Sequence, residues 1–202
     1  VPLMMLRHFL HTGNATAART YLLPIAEAAT TFFVEHWAEA RFFLEDGQAL
    51  ESYSHCDQPA CDVGGLHALS RGLALPIVRE VASASQIRAF DALALALDGV
   101  YLALNTTNRS NVYLLPCGRD GTGFTPGAWE QQNREPIMMY AVWPYELLGV
   151  NRSAPPPFAP HAHVESGADA LSIARRSFER RPYPSVLGYS MDSVFAANLG
   201  LV

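Results

Sequence analysis

Three short stretches set a carboxylate beside aromatic or amide side chains: EHW at 35 to 37, GQALESY with Glu51 and Tyr53, and NREP with Asn133 and Glu135, followed by Trp143. Sugar sites use this combination, because aromatic faces stack on the C–H surface of a pyranose while carboxylates and amides hydrogen-bond its hydroxyls. The two later glutamates suit different work. Glu51 lies among Ala49, Leu50 and Tyr53, where desolvation raises a carboxyl pKa toward that of a general acid. Glu135 has Arg134 beside it, which keeps a carboxylate ionised and suited to holding hydroxyls. Trp37, Tyr53, Asn133 and Trp143 are the expected substrate-binding side chains, with Glu51 and Glu135 converging on one concave face. Taken singly, each glutamate is more often a helix cap or a solvated charge, since perturbed carboxylates are a minority.

Other constellations are weaker. His55, Cys56, Cys61 and His67 could ligate a metal, but a C-x4-C pair without a second cysteine pair lacks zinc-site spacing, so no metal is expected. His161 and His163 read as loop residues. There is no glycine-rich phosphate loop and no G-x-S-x-G elbow, and no cofactor is expected. Cys56, Cys61 and Cys117 allow one disulfide with one thiol left over. The spacer between Cys56 and Cys61 contains Pro59 and can turn, so these two are expected to lie close enough to pair if the protein is secreted. N-x-[ST] sequons at Asn14, Asn105, Asn108 and Asn151, together with paired cysteines, lean toward a secretory route.

Composition bounds what these residues belong to. The chain has 202 residues, half of them hydrophobic and 16% charged, which suits a globular core in one domain or part of a larger one. A net charge of -5 with scattered arginines offers no basic stripe for a phosphate backbone, so nucleic acid is not an expected partner. No apolar run reaches the roughly 18 residues that span a bilayer, and no membrane partner is expected. VPLMMLRHFLHTG reads neither as a signal peptide nor as a natural start, so the chain is expected to begin inside a larger protein.

Helical periodicity dominates. Ala17 to His36 carries Tyr21, Leu22, Ile25, Ala28, Ala29, Phe32, Phe33 and His36 at three- and four-residue spacings, with Thr16 as cap and Pro24 as an early kink. Asp62 to Leu73 carries Val63, Leu66, Leu69 and Leu73, and Pro76 ends it. Ser83 and Gln86 form a possible capping box for a helix through Ile87, Phe90, Leu93 and Leu97 until Gly99. Residues 113 to 127 fit a hairpin or ordered excursion. Helical spacing resumes at Ile137, Tyr140, Ala141 and Tyr145, interrupted by Pro144. After the linker APPPFAPHAH, the helix ADALSIARRSFERR has Asp169 in its first turn and Arg180 and Arg181 in its last, as the macrodipole prefers. A last helix starts at Ser190.

The ordered series YLLPIAEAATTFFVEHW, GQALESY, ACDVGGLHALSRGLALP, NREPIMMYAVWPYELLG and ARRSFERRPYPSVLGYSMDSVFAANLGL resembles the C-terminal half of the catalytic domain in glycoside hydrolase family 95 and its six-hairpin relatives, from about residue 17 to 201. The resemblance implies an inverting O-glycosyl hydrolase with Glu51 in the place of the general acid. NREP and MMYAVWPYELLG then match the segment that turns polar side chains toward the sugar. The family's acid stands in a Ser-Pro-Glu-Asn context and here in Ala-Leu-Glu-Ser. The family's water-activating asparagines precede the matched region and an aspartate follows it, so the base lies outside this chain.

The expected fold class is all-α: about six or seven helices in antiparallel hairpins forming part of an (α/α) toroid, with a small β-hairpin or loop excursion, and residues 1–202 as a single partial domain. The expected partners are a carbohydrate substrate and the missing half of the same domain. The alternative is a non-catalytic carbohydrate-binding or structural helical module. A polysaccharide lyase would need a Tyr or His base beside an arginine, and no such set stands out.

Overall fold

The computed structural model describes residues 1–39, 56–108, 111–118, 136–152, 156–158, 167–181 and 191–201. They are mostly helical, with one two-stranded antiparallel sheet. The protein is all-α with a small β-hairpin. Among the described residues no helix is long and apolar enough to cross a membrane. The chain divides into two units, residues 1–43 with 66–100, and residues 44–65 with 101–202.

In the first unit, α1 (Pro2–Thr12) opens with a proline, whose missing N–H costs nothing in a first turn, and ends on Gly13 in the left-handed region at φ 64°. The next helix is capped by Asn14 rather than Thr16: its side chain accepts from the Ala17 N–H at 3.0 Å. This helix begins as α2 (Ala15–Ala17), widens into a π-turn over Ala18–Leu22, and continues as α3 (Leu23–Glu39). Pro24 explains the widening. It brings no N–H and its ring crowds the carbonyl four residues back, and the turn relaxes so that the Leu23 N–H reaches Ala18 five residues earlier.

The buried face of this helix differs from the expected one. Ala18, Leu22, Ala26 and Thr30 are buried and step by four; the π-turn packs on α1 and α3 packs on α6 (Ala84–Ala96). Tyr21 and Phe32 are 60% exposed, and Ile25 is also exposed. Apolar residues occupy two stripes of this helix, so periodicity alone could not choose between them; the widened turn and the partner helix do. Phe32 stacks on His36, with ring centroids 5.6 Å apart.

The expected α6 cap is present. The Ser83 N–H donates to Gln86 Oε1 at 2.9 Å and the Gln86 N–H donates to Ser83 Oγ at 3.3 Å. In α4 (Ala60–Leu73) the expected Val63, Leu66, Leu69 and Leu73 are all buried, and Pro76 begins the short α5 (Pro76–Arg79). Leu69 and Leu73 join Leu6, Phe9, Leu22, Leu23 and Phe90 in one core. Gly72 makes room for it: a Cβ there would stand 2.2 Å from Leu6 Cδ2. Gly72→Ala should therefore destabilise by about 1–3 kcal/mol in urea titrations despite the better helix propensity of alanine, because Leu6 is buried and must shift.

His67, on α4, bonds the Val100 carbonyl through Nε2 at 2.8 Å. A carbonyl only accepts, so Nε2 carries the proton. Burial lowers the pKa of this imidazole, outweighing the Val100 bond. The neutral form is thus favoured on folding, and the stability this confers is fully present above the ordinary value of 6.5 and is lost as pH falls from there through the lowered folded value. Urea midpoints between pH 7.5 and 5 should fall further for the wild type than for His67→Gln, whose amide can still donate to Val100.

In the second unit, β1 (Leu104–Asn105) pairs with β2 (Tyr113–Leu114), with Leu104 opposite Leu114 and Asn105 opposite Tyr113. The hairpin thus ends where the expected 113–127 excursion begins, of which residues 119–127 lie outside the described residues, and the sequon run NTTNRSN starts on the last residue of β1. Helix α7 (Gly167–Glu179) packs on β2 and on α8 (Asp192–Leu199). Ser177, buried in α7, donates to the Ile173 carbonyl and accepts from the Leu114 N–H, both at 2.7 Å. The arginines tie elements together more than they complement a dipole. Arg176 Nε donates to the Val112 carbonyl at 2.7 Å, Arg175 Nε to that of Leu199 at 2.9 Å, and Arg181 pairs with both oxygens of Asp192 at 2.8 and 2.7 Å. Arg180 lies over the Tyr113 ring at 4.9 Å.

Candidate functional site

The first turn of α4 is fixed from two sides. Cys56 forms a disulfide with Cys117, with Cα atoms 5.4 Å apart. Two backbone bonds run alongside, from the Ala60 N–H to the Pro116 carbonyl at 2.9 Å and from the Gly118 N–H to the Asp57 carbonyl at 2.6 Å. Cys61 shares a buried cluster with Cys56, as its expected closeness requires, but the bond that Cys56 makes is to Cys117. The spacer does turn, but it turns into a helix start, and residues 116–118, just after β2, reach Cys56 instead. Gln58, between them, is buried with φ at 46°, a conformation that a residue with a side chain adopts only when its surroundings impose it.

Against this turn lies the segment 136–150. Ile137–Ala141 forms a 3-10 turn where helical spacing predicted a longer helix, and Pro144, joined to Trp143 by a cis peptide bond, ends the helical run. Tyr145 folds back onto α4. A Cβ on Gly64 would lie 3.0 Å from its Cδ2, and one on Gly65 3.1 Å from its Cζ and Oη. The paired glycines inside a helix thus mark the seat of an aromatic ring. Tyr140 meets Tyr145 edge-on at 6.0 Å, and Trp143 between them in sequence is half-buried.

Two groups at this turn have shifted acidities. Asp62 is exposed by surface area, yet crowding on its inner side raises its pKa by desolvation, partly offset by a bond from Cys61. Its open edge keeps the carboxyl within reach of a ligand. Cys61 is only 9% exposed and is a free thiol, its Sγ 3.7 Å from Asp62 Oδ1. Burial first, and the Asp62 charge second, push its pKa from 9.0 to about 12. The Tyr145 phenol is also raised, by burial and then by Cys61 and Asp62. Glu146, next in the chain at φ 55°, pairs with Arg152 at 2.6 Å.

Of the residues singled out from the sequence, Trp143 stands on this segment. Glu51, Tyr53, Asn133 and Glu135 lie outside the described residues, as does their expected convergence on one face. Trp37 is in the last turn of α3, with its side chain outside the description. Asp62, Tyr140 and Tyr145 were missed as site residues; the signal for them was Gly64-Gly65 inside a helical period. Of the four residues that could ligate a metal, His67 bonds the Val100 carbonyl, Cys56 is in a disulfide and His55 lies outside the described residues. No protein-family model matches the chain, and no curated protein and no solved structure matches it either.

Proposed function

We propose that the protein acts on carbohydrate as a glycoside hydrolase of inverting type, with Glu51 as general acid and with Trp143, Tyr140 and Tyr145 forming the aromatic side of the sugar site. One observation carries this: an open carboxyl with a raised pKa, Asp62, stands beside Tyr145, on the segment whose sequence resembles the sugar-facing part of six-hairpin glycosidases. A partly desolvated carboxyl beside an aromatic ring can hydrogen-bond a sugar hydroxyl while the ring stacks on the pyranose face. Trp37, Tyr53, Asn133 and Glu135 complete the proposed site, and no metal or cofactor is required. The exposed stripe of Tyr21, Ile25 and Phe32 supports a further helical layer of the same toroid as partner. The Cys56–Cys117 bond supports a secretory route.

The second reading is a non-catalytic carbohydrate-binding module. Glu146, the carboxylate adjoining Tyr145, is held by Arg152, and inversion needs a second carboxyl about 6.5–9.5 Å from the first. A panel of aryl glycosides and oligosaccharides, assayed for cleavage and for binding by calorimetry, tests both. Hydrolysis that Asp62→Asn weakens about tenfold or more supports the enzyme, and binding without hydrolysis supports the module. Neither cleavage nor binding across the panel removes the carbohydrate reading.

A further inference from the structure

All three cysteines meet in one place. Cys56, Cys61 and Cys117 share a buried cluster with Ile137, and Tyr140 packs against it. Two of them are joined and the third is a thiol, so the cluster holds the reactants for an internal exchange that needs no outside oxidant or reductant. Cys61 also occupies the first turn of α4, a position where converging N–H groups ordinarily favour a thiolate. We propose that Cys61 is a latent partner for Cys56, kept from attacking the Cys56–Cys117 bond by its burial and by the neighbouring Asp62 carboxylate.

The step held back is simple to balance. The Cys61 thiol gives up its proton, and its sulfur attacks Cys56 Sγ. A Cys61–Cys56 bond forms as the Cys56–Cys117 bond breaks, and Cys117 leaves with the electron pair and takes a proton. Nothing is oxidised or reduced overall. Pro59 lets the short spacer turn, so the alternative loop can close. Among the described residues, the charged or titratable groups that face the thiol or its cluster are Asp62 on its own helix and Tyr145 and Tyr140 from the segment packed on it. Asp62 disfavours the attacking anion directly. It also occupies the turn whose N–H groups would otherwise stabilise that anion.

The test uses the oxidised full chain from pH 7 to 10, with iodoacetamide present throughout so that any Cys117 thiol released is trapped, followed by peptide mapping. In the wild type, label enters slowly and on Cys61, with Cys56–Cys117 retained. In Asp62→Asn, label enters Cys117 with Cys56–Cys61 linked, about tenfold faster at a given pH and with the profile displaced to lower pH. Val63→Ala, which loosens the same turn but keeps the carboxylate, should leave the position of that profile unmoved. Asp62→Ser serves the same comparison where Asp62→Asn does not fold. Equal rates and profiles in the wild type and the Asp62 variants, label confined to Cys61 in those variants up to pH 10, or free exchange in the wild type would each overturn the proposal.

Discussion

Replacing Cys56 and Cys117 together by alanine is expected to lower the free energy of unfolding by about 4 kcal/mol in urea titrations. The bond joins residues 61 apart, and in the chain-entropy view a loop of that length restricts the unfolded chain by about 4 kcal/mol. Against a total of about 5–15 kcal/mol for a domain, that is a large share. The double substitution is needed because Cys117→Ala alone leaves Cys56 beside the Cys61 thiol, free to make the alternative pair. The backbone bonds of Ala60 to Pro116 and Gly118 to Asp57 hold the same two segments. The double variant should therefore keep its helical circular dichroism while its urea midpoint drops. A loss below about 1 kcal/mol would mean that those bonds and the packing of Ile137 fix the turn without the disulfide.

Glu51→Gln should slow hydrolysis of glycosides with poor leaving groups by about 10²–10⁴-fold, and that of activated aryl glycosides far less. A poor leaving group must be protonated as the bond breaks, whereas an activated one hardly needs it. The prediction follows from the family likeness and from the uncharged neighbours Ala49, Leu50 and Tyr53. Asp62 is its internal rival, since its carboxyl is raised by desolvation and stands beside Tyr145. A selective loss in Asp62→Asn, with Glu51→Gln affecting all substrates equally, would transfer the acid role to Asp62.

Local signals in the sequence carried the helices, and long-range ones did not carry the site. The Ser83–Gln86 box and the buried series Val63, Leu66, Leu69 and Leu73 were legible because cap and period are set within a few residues. The buried face of α2 and α3 was not, because Pro24 widens the turn before it and two apolar stripes compete. The partner of Cys56 depends on where residues 116–118 arrive, which no spacing records. Arg180 and Arg181 looked like dipole complements; instead Arg181 bonds Asp192 and Arg180 lies over the Tyr113 ring, since a long guanidinium reaches groups on neighbouring elements. Gly64-Gly65 was the one local clue to the site, as glycine inside a helix signals a close approach, here by Tyr145.

The most direct test of a carbohydrate site is a titration of isotopically labelled protein with monosaccharides and short oligosaccharides, followed by amide and indole chemical shifts. Shifts concentrated on Asp62, Tyr140, the Trp143 indole and Tyr145, and abolished for the same sugar by Trp143→Ala, are the predicted result. Saturating sugar that leaves these signals unmoved, or that moves only signals elsewhere on the chain, would contradict it.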